Sequence, residues 1–175
     1  MKSRKGIILI ITMCLLCMLG LLMTNGFRKM HKDSVKAEII VDNVIVSQEI
    51  LEFKGFMVVP GGSDDYRVKL TPSASVVADM MIDFEEISSV ENASGVKLKD
   101  CARVRISVDG EEVIDCLLAE AFDGEAYMQK IKLKERKAVY LDVEFYLPIE
   151  IGNEIKNTSV DFYLIVKLER TKIMA

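Results

Sequence analysis

The chain has 175 residues, half of them hydrophobic, and this is the length of one domain. Its first 32 positions hold six of the 23 basic residues and no acidic ones, so residues 33–175 carry 17 basic against 27 acidic side chains, a net charge of about −10. That balance argues against a nucleic-acid binder, which needs clustered basic charge to displace counterions from phosphates. The single histidine, His31, also precedes residues 33–175, which excludes Ser-His-Asp, Cys-His and histidine-ligated zinc chemistry there.

The N-terminal segment has the features of an export signal. Residues 7–27 form an uncharged, mostly apolar run with three basic residues on each side. A cleaved signal has an apolar core of roughly 7–15 residues, whereas a bilayer-spanning helix needs roughly 20, and this run has the length of a span. Thr24–Gly26, and more weakly Val35–Ala37, offer small residues to a signal peptidase.

We therefore expect two regions in the chain. Residues 1–32 are a signal peptide or a membrane-spanning signal-anchor helix, and residues 33–175 are a single exported domain. The domain is anchored in the cell membrane and extracellular if the helix is kept. It is secreted to the cell surface if the helix is cleaved.

Residues 33–175 follow mainly a period of two, which places one face of each strand on a core and the other in water. Asp109-Gly110 stands between two alternating runs and predicts a two-residue hairpin turn, because a type I′ turn needs positive φ. Short helices are expected only around Leu117–Phe122 and Ile151–Ile155. The strand-like segments are, in chain order, 39–56, 66–70, 76–84, 104–113, 131–133, 139–147 and 160–168.

These segments amount to eight or nine strands at short, regular spacing, which is typical of an all-β sandwich. The two longest alternating runs predict that Val143, Phe145, Phe162 and Leu164 share one core. The sequence therefore predicts an all-β, antiparallel two-sheet sandwich that follows the N-terminal helix.

Three stretches carry a resemblance to a known family. They contain a Pro-Gly turn that leads into a strand, a hairpin with a Val-Asp-Gly turn, and a Leu-Pro-x-x-x-Gly-Asn-Glu segment before the last strand. With the signal-like segment, they resemble the TasA/camelysin-type exported β-sandwich proteins of Gram-positive bacteria over Glu38–Arg170. The stretches are Val59–Val68, Leu98–Asp100 with Val104–Val113, and Leu147–Glu154 with Thr158–Leu168.

The resemblance implies a jelly-roll-like sandwich and export through an N-terminal segment that a dedicated signal peptidase often cuts. It also implies kinship with fibre-forming subunits of the biofilm matrix, and one branch of the family is labelled a metallopeptidase. This chain departs from the matrix type in its long apolar segment and in lacking a strong small-residue cleavage site after it.

The residues themselves argue against catalysis. A zinc peptidase needs three protein ligands and a carboxylate that activates water, commonly as His-Glu-x-x-His, and the domain has no histidine. We expect no catalytic residues, no cofactor and no metal site. The paired acidic residues are interpreted as solvated turns and strand ends, with a calcium site as the alternative. They are Asp64-Asp65, Glu85-Glu86, Glu111-Glu112, Asp123 with Glu125, and Glu150 with Glu154.

Cys101 and Cys116 flank the hairpin turn. A two-residue turn at Asp109-Gly110 would pair Cys116 with Arg103 and Cys101 with Leu118, which makes the cysteines diagonal neighbours. That separation is too large for easy bridging unless a bulge shifts the register. Because export permits disulfides, a Cys101–Cys116 bond and two buried thiols both remain open.

The stretch Lys36–Ser47 is apolar and β-branched without clean alternation. Such a strand is buried on both faces or lacks its partner. In fibre-forming members of the resembled family, an N-terminal strand completes the sandwich of the next subunit. The alternative is that it is the first strand of its own domain. The candidate strand-donation residues are Ile39, Ile40, Val41, Val44, Ile45 and Val46.

We therefore expect an exported, non-catalytic structural or interaction protein of the cell surface, which self-assembles by donating its N-terminal strand. The alternatives are a membrane-tethered binding module for a surface polymer or partner protein and, last, a camelysin-like metallopeptidase. The expected partners are the membrane, a signal peptidase, and copies of the chain in a homo-oligomer or fibre, with no nucleic acid.

Overall fold

The computed structural model describes residues 35–41, 46–152 and 154–173. The expected apolar helix over residues 7–27 and the cleavage position at Thr24–Gly26 lie outside these residues. In the part of the chain that is described, no helix has the length and apolar character needed to cross a bilayer. The described β structure belongs to one compact unit, Val35–Ala175.

The described residues form mostly β structure, as the period-two patterns predict. One short helix, α1 (Leu118–Asp123), lies where the sequence predicted it, and single 3₁₀ turns occur at Leu98–Asp100 and Ile149–Ile151. The strands are β1 (Val35–Val41), β2 (Val46–Phe56), β3 (Ser63–Pro72), β4 (Val76–Val90), β5 (Arg103–Val108), β6 (Glu111–Leu117), β7 (Tyr127–Leu133), β8 (Val139–Tyr146) and β9 (Ser159–Ile173).

The strands form two sheets, which confirms the predicted sandwich. One sheet has the order β1-β3-β8-β5-β6 and the other β2-β9-β4-β7. Every strand pair is antiparallel except β1 with β3, which is parallel. Burial alternates along β8 and β9, so each contributes one face to the space between the sheets.

The core centres on a cluster of aromatic rings. Val143, Phe145, Phe162 and Leu164 are all at most 1% exposed, which confirms that they share one core. The rings of Phe162 and Phe145 are 5.4 Å apart, and Phe53 of β2 stacks on Phe162 at 4.5 Å. Burial of these large apolar side chains is the main term that stabilises the sandwich.

The predicted hairpin is present, but its register differs from the prediction. Asp109 and Gly110 have φ values of 49° and 87°, as a type I′ turn requires. A bulge between Ile106 and Ser107 then shifts the ladder by one residue, so Cys116 pairs with Val104. The expected pairing of Cys116 with Arg103 was therefore wrong.

The sandwich has two distinct ends. At the proximal end, β1 and β3 begin, and the loops at residues 57–62 and 147–158 connect strands. At the distal end lie the Asp109-Gly110 turn, the β7–β8 turn and the end of β9. The chain thus enters the sandwich at one end and β9 finishes at the other.

Candidate interaction surface

Strand β1 lies at the edge of the five-stranded sheet. It runs parallel to β3, with Val35 opposite Arg67 and Val41 opposite Pro72, and a register irregularity falls between Val35 and Ala37. Parallel pairs are slightly less stable per residue than antiparallel pairs. The first strand is therefore a peripheral addition to a ladder that β3 and β8 already form.

One exposed side-chain cluster fixes β1 on its neighbour. The carboxylate of Glu38 accepts hydrogen bonds from Lys69 Nζ and Thr71 Oγ1, each at 2.7 Å. The hydrogen bond from Lys69, followed by that from Thr71, holds the pKa of Glu38 below its usual value. Screening by water limits the strength of such an exposed pair, so the cluster mainly sets the register of β1.

The structure describes the side chains of residues 37–40 in β1. Ile39 is buried between the sheets at 5% exposure, and Ala37 packs beside it, whereas Ile40 points to solvent with 61% exposed. Among these four described side chains only Ile39 is deeply buried, so main-chain hydrogen bonds supply much of the attachment of this part of β1. This is the type of strand that another chain can replace.

An open cavity of about 310 Å³ lies between β2 and β3. It is lined by Leu51, Glu52, Lys54 and three rings of the aromatic cluster, those of Phe53, Phe56 and Tyr66. Burial, and then a 2.6 Å hydrogen bond to Asp64, raise the pKa of the Tyr66 hydroxyl, which therefore stays protonated. The cavity is thus a groove lined by aromatic rings and one neutral hydroxyl, with the charged residues Glu52 and Lys54 also in its lining.

The structure divides the expected strand-donation segment between two sheets. Ile39, Ile40 and Val41 lie in β1 of the five-stranded sheet, whereas Val46 begins β2 of the four-stranded sheet. Val44 and Ile45 lie outside the described residues. Only the first half of the segment, residues 39–41, therefore lies in a strand that could be exchanged while β2 stays in its own sheet.

A second feature is a polar network on the outer face of the five-stranded sheet. Asp115 accepts hydrogen bonds from Arg103, Arg105 and the Tyr146 hydroxyl at 2.9–3.1 Å, and Arg105 also reaches Glu144 at 3.2 Å. Partial burial raises the pKa of Asp115, but the hydrogen bonds from Arg105, Tyr146 and Arg103 outweigh it and leave the pKa below its usual value. The guanidinium of Arg105 lies 4.8 Å from the ring centre of Tyr146.

Both cysteines of the domain are free, half-buried thiols. Cys101 lies outside the hairpin, directly after the 3₁₀ turn, and Cys116 lies in β6. Burial raises the pKa of both thiols, and the nearby carboxylates of Asp100 and Glu120 raise it further at Cys101 and Cys116 respectively. Such thiols are poor nucleophiles near neutral pH.

The acidic pairs do not assemble into a metal site. Among the residues that the structure describes, no three histidine, cysteine, aspartate or glutamate side chains lie close enough to share an ion. A cavity of about 340 Å³ beside Cys116 is lined mostly by apolar residues of β4, β6, α1 and β7, with three carboxylates at its margin. The donor set does not fit the zinc that the peptidase branch of the resembled family implies.

Sequence reasoning did not find the groove or the Glu38 cluster. The groove depends on β2 and β3 meeting across the two sheets, and the cluster depends on β1 lying beside β3. The sequence carries no local signal for either arrangement. The exposure of Ile40 is a signal for an edge strand, but it can be recognised only once the register of β1 is known.

Comparisons with known proteins add little. No family model matches the chain, and neither does any curated protein. A solved structure of dimeric latent PorU from Porphyromonas gingivalis is similar over 79% of this chain and 14% of that one, with 11% identity and a TM-score of 0.29. The chain thus spans about a seventh of that PorU chain.

Proposed function

We propose that this chain is an exported, non-catalytic structural protein of the cell surface that assembles with copies of itself by exchanging β1. The observation that carries the proposal is the position of β1. It is a terminal edge strand, paired in parallel with one neighbour, and only Ile39 among its described side chains is deeply buried.

In this geometry, strand exchange between two chains needs few contacts that a single chain does not already make. A β1 strand from a second chain can use the same edge of β3, the same Glu38 cluster and the same site for Ile39. Main-chain ladder bonds then supply affinity, and the pocket for the alternate side chain supplies specificity. Since the intramolecular and intermolecular pairings are equivalent, the balance between them depends on chain concentration and on how free the N-terminus is.

The topology supports a finer assignment of the fold. Strands β2–β9 fill two four-stranded layers in the orders β2-β9-β4-β7 and β3-β8-β5-β6, and consecutive strands from β2 to β5 change sheet each time. We infer that this is a jelly roll, to which β1 is added at one edge. A jelly roll with an added N-terminal strand agrees with the resemblance to TasA/camelysin-type proteins.

The N-terminal segment decides which pairing forms. While residues 7–27 anchor the chain in a membrane, β1 pairs within its own domain. Cleavage by a signal peptidase frees β1 and permits fibres or smaller homo-oligomers at the cell surface.

Disulfide trapping across the β1–β3 ladder tests the exchange. Glu38 lies opposite Lys69 in the register. Two cleaved chains of different mass, one carrying Glu38→Cys and the other Lys69→Cys in a background without native cysteines, are mixed and oxidised. A disulfide-linked heterodimer is the expected product, because only exchange places the two thiols together.

The control is Lys130→Cys in place of Lys69→Cys, since Lys130 is exposed on the other sheet. That mixture should give no heterodimer. If the Glu38→Cys/Lys69→Cys double variant forms an internal disulfide while the mixed single variants never cross-link, the exchange proposal is wrong.

A membrane-tethered binding module is the second candidate, and the outer face of the five-stranded sheet favours it. Tyr140 and Tyr146 of β8 are partly exposed there and lie beside Arg67 and Arg105. Partly exposed aromatic rings among charged groups are a common surface for a polymer or protein partner. Retention of the chain on a surface polymer, lost in Tyr140→Ala but kept in Tyr163→Ala on the opposite sheet, would support this function.

A further inference from the structure

Three large apolar side chains are exposed at the proximal end. Met57, Val59 and Ile149 have 67%, 70% and 72% of their surface exposed. The first two flank the buried Val58 in the β2–β3 loop, and Ile149 lies in the 3₁₀ turn after β8. The chain over residues 55–63 has no charged residue. We call these three side chains the proximal apolar patch.

The loops that carry the patch are joined by their backbones. Gly61 N donates to Leu147 O at 2.9 Å, and Leu147 N donates to Gly62 O at 3.1 Å. A Cβ added to Gly61 would lie 3.3 Å from Ile149, and one added to Gly62 would lie 2.8 Å from Val59. Val59 and Ile149 therefore pack against adjacent glycines, and exposed apolar side chains held in this way indicate an external apolar partner.

The chain enters the sandwich at this same end. Seven residues, 28–34, separate the apolar run from β1 and can span at most about 25 Å. β1 begins opposite Arg67, and β3 starts four residues closer to the proximal end, at Ser63, which is about 13 Å along the strand. A chain that leaves a bilayer at residue 28 can thus reach Val35 while the patch lies at the membrane surface, because the reach of about 25 Å exceeds the roughly 13 Å along the strand.

We propose that the proximal apolar patch inserts into the boundary between headgroups and acyl chains of the bilayer that holds residues 7–27. The inference rests on the membrane anchor in the proposed function. Apolar side chains gain from burial at that boundary, as in other membrane-surface elements. Glu150, exposed beside Ile149, stays at the headgroup level, and its charge makes zwitterionic lipid the better surface.

Tryptophan reporters test the contact, because the chain has no tryptophan of its own. The full chain with Val59→Trp is placed, one chain per particle, in phosphatidylcholine nanodiscs with and without brominated acyl chains. We expect blue-shifted emission and loss of most of the intensity to bromine quenching. Ile149→Trp should behave in the same way.

The matched control is Lys137→Trp, at an exposed position of the β7–β8 turn at the distal end. Its emission should be unshifted and unquenched. Adding Met57→Asp and Val59→Asp to the Ile149→Trp variant should abolish quenching, since buried charges oppose insertion.

The possible outcomes distinguish a failure of the proposed lipid contact from a failure of the membrane anchor. If the chain stays in the disc while Val59→Trp and Ile149→Trp remain as unquenched as Lys137→Trp, the lipid contact is overturned and the anchor stands. If the chain is lost from the discs, both are overturned. A blue shift without bromine quenching, seen only with two chains per disc, would assign the patch to a second copy and overturn the lipid contact.

Discussion

Asp115 shows how single residues stabilise an outer face of the sandwich. Its side chain is 21% exposed and accepts hydrogen bonds from two arginines and a tyrosine across three strands, β5, β6 and β8. Charged hydrogen bonds at partly buried sites contribute more to the free energy of unfolding than exposed ion pairs do. Asp115 therefore stabilises the fold more than the exposed charges around it.

We expect Asp115→Asn to lower the free energy of unfolding by about 1–3 kcal/mol at pH 7. The folded-state pKa of Asp115 is lowered, so its stabilisation is fully present above the ordinary value of 3.8 and is lost as pH falls through the lowered pKa. Urea unfolding at pH 7 and again at a pH below the lowered pKa should show a large difference between variant and parent only at pH 7.

The control for this change is Asp79→Asn. Asp79 pairs with Lys130 at 3.0 Å, and the lysine is 66% exposed, so the loss should stay within about 0.5 kcal/mol at both pH values. An equal loss in the two variants at pH 7 would contradict the role of the Asp115 network.

At the scale of elements, local patterns predicted most strands, and long-range pairing was the part they could not supply. The alternation in 139–147 and 160–168 became β8 and β9, and Asp109-Gly110 became the turn between β5 and β6. The hydrophobic period fixes which face is buried, and Gly fixes where φ is positive. Neither carries information on the partner of a strand.

The N-terminal stretch shows the limit most clearly. Its apolar run indicated one continuous strand, whereas the structure assigns its two halves to different sheets, with β1 parallel to β3 and β2 antiparallel to β9. The bulge that pairs Cys116 with Val104 could not be predicted either. A bulge of one residue changes which residues of a hairpin lie opposite each other without any change in its sequence. The Glu38 cluster depends on the first of these features, so the sequence suggested a candidate segment for strand donation but not the edge on which its first half pairs.

The two adjacent isoleucines of β1 give a matched test of how that strand is held. Ile39 is 5% exposed and Ile40 61% exposed. We expect Ile39→Ala to cost about 2 kcal/mol and to speed amide exchange throughout β1, while Ile40→Ala stays within about 0.5 kcal/mol. Hydrogen exchange read by mass spectrometry checks both, and equal exchange rates in the two variants would argue against the register of β1.

At the scale of the molecule, the sandwich depends unequally on its first and last strands. β1 has one neighbour, β3, whereas β9 lies between β2 and β4 and contributes four buried apolar side chains from Phe162 to Leu168. Its ladder with β2 joins residues more than a hundred positions apart, as in the pair Val46–Glu169, so the four-stranded sheet cannot form before the end of the chain is present.

We therefore expect opposite results from two truncations. Deleting residues 1–41 should leave a domain with one cooperative unfolding transition and a modest loss of stability. Deleting residues 159–175 should leave an unfolded chain, because the core face of its sheet is removed. Near-ultraviolet circular dichroism and urea unfolding distinguish the cases, and a folded chain without β9 would show that the five-stranded sheet is independently stable.

The parallel orientation of β1 also determines how the protein carries mechanical load. β1 begins at the proximal end, so a pull on the N-terminus away from that end acts along the strand axis. To leave, β1 must slide past β3, and its ladder bonds and the Glu38 cluster are strained together rather than broken one after another. Forced detachment depends on the rate of the unfolding step, which is slower in this shear geometry than in peeling. A strand with a single neighbour is thus oriented in the direction in which it best resists a pull on the N-terminus.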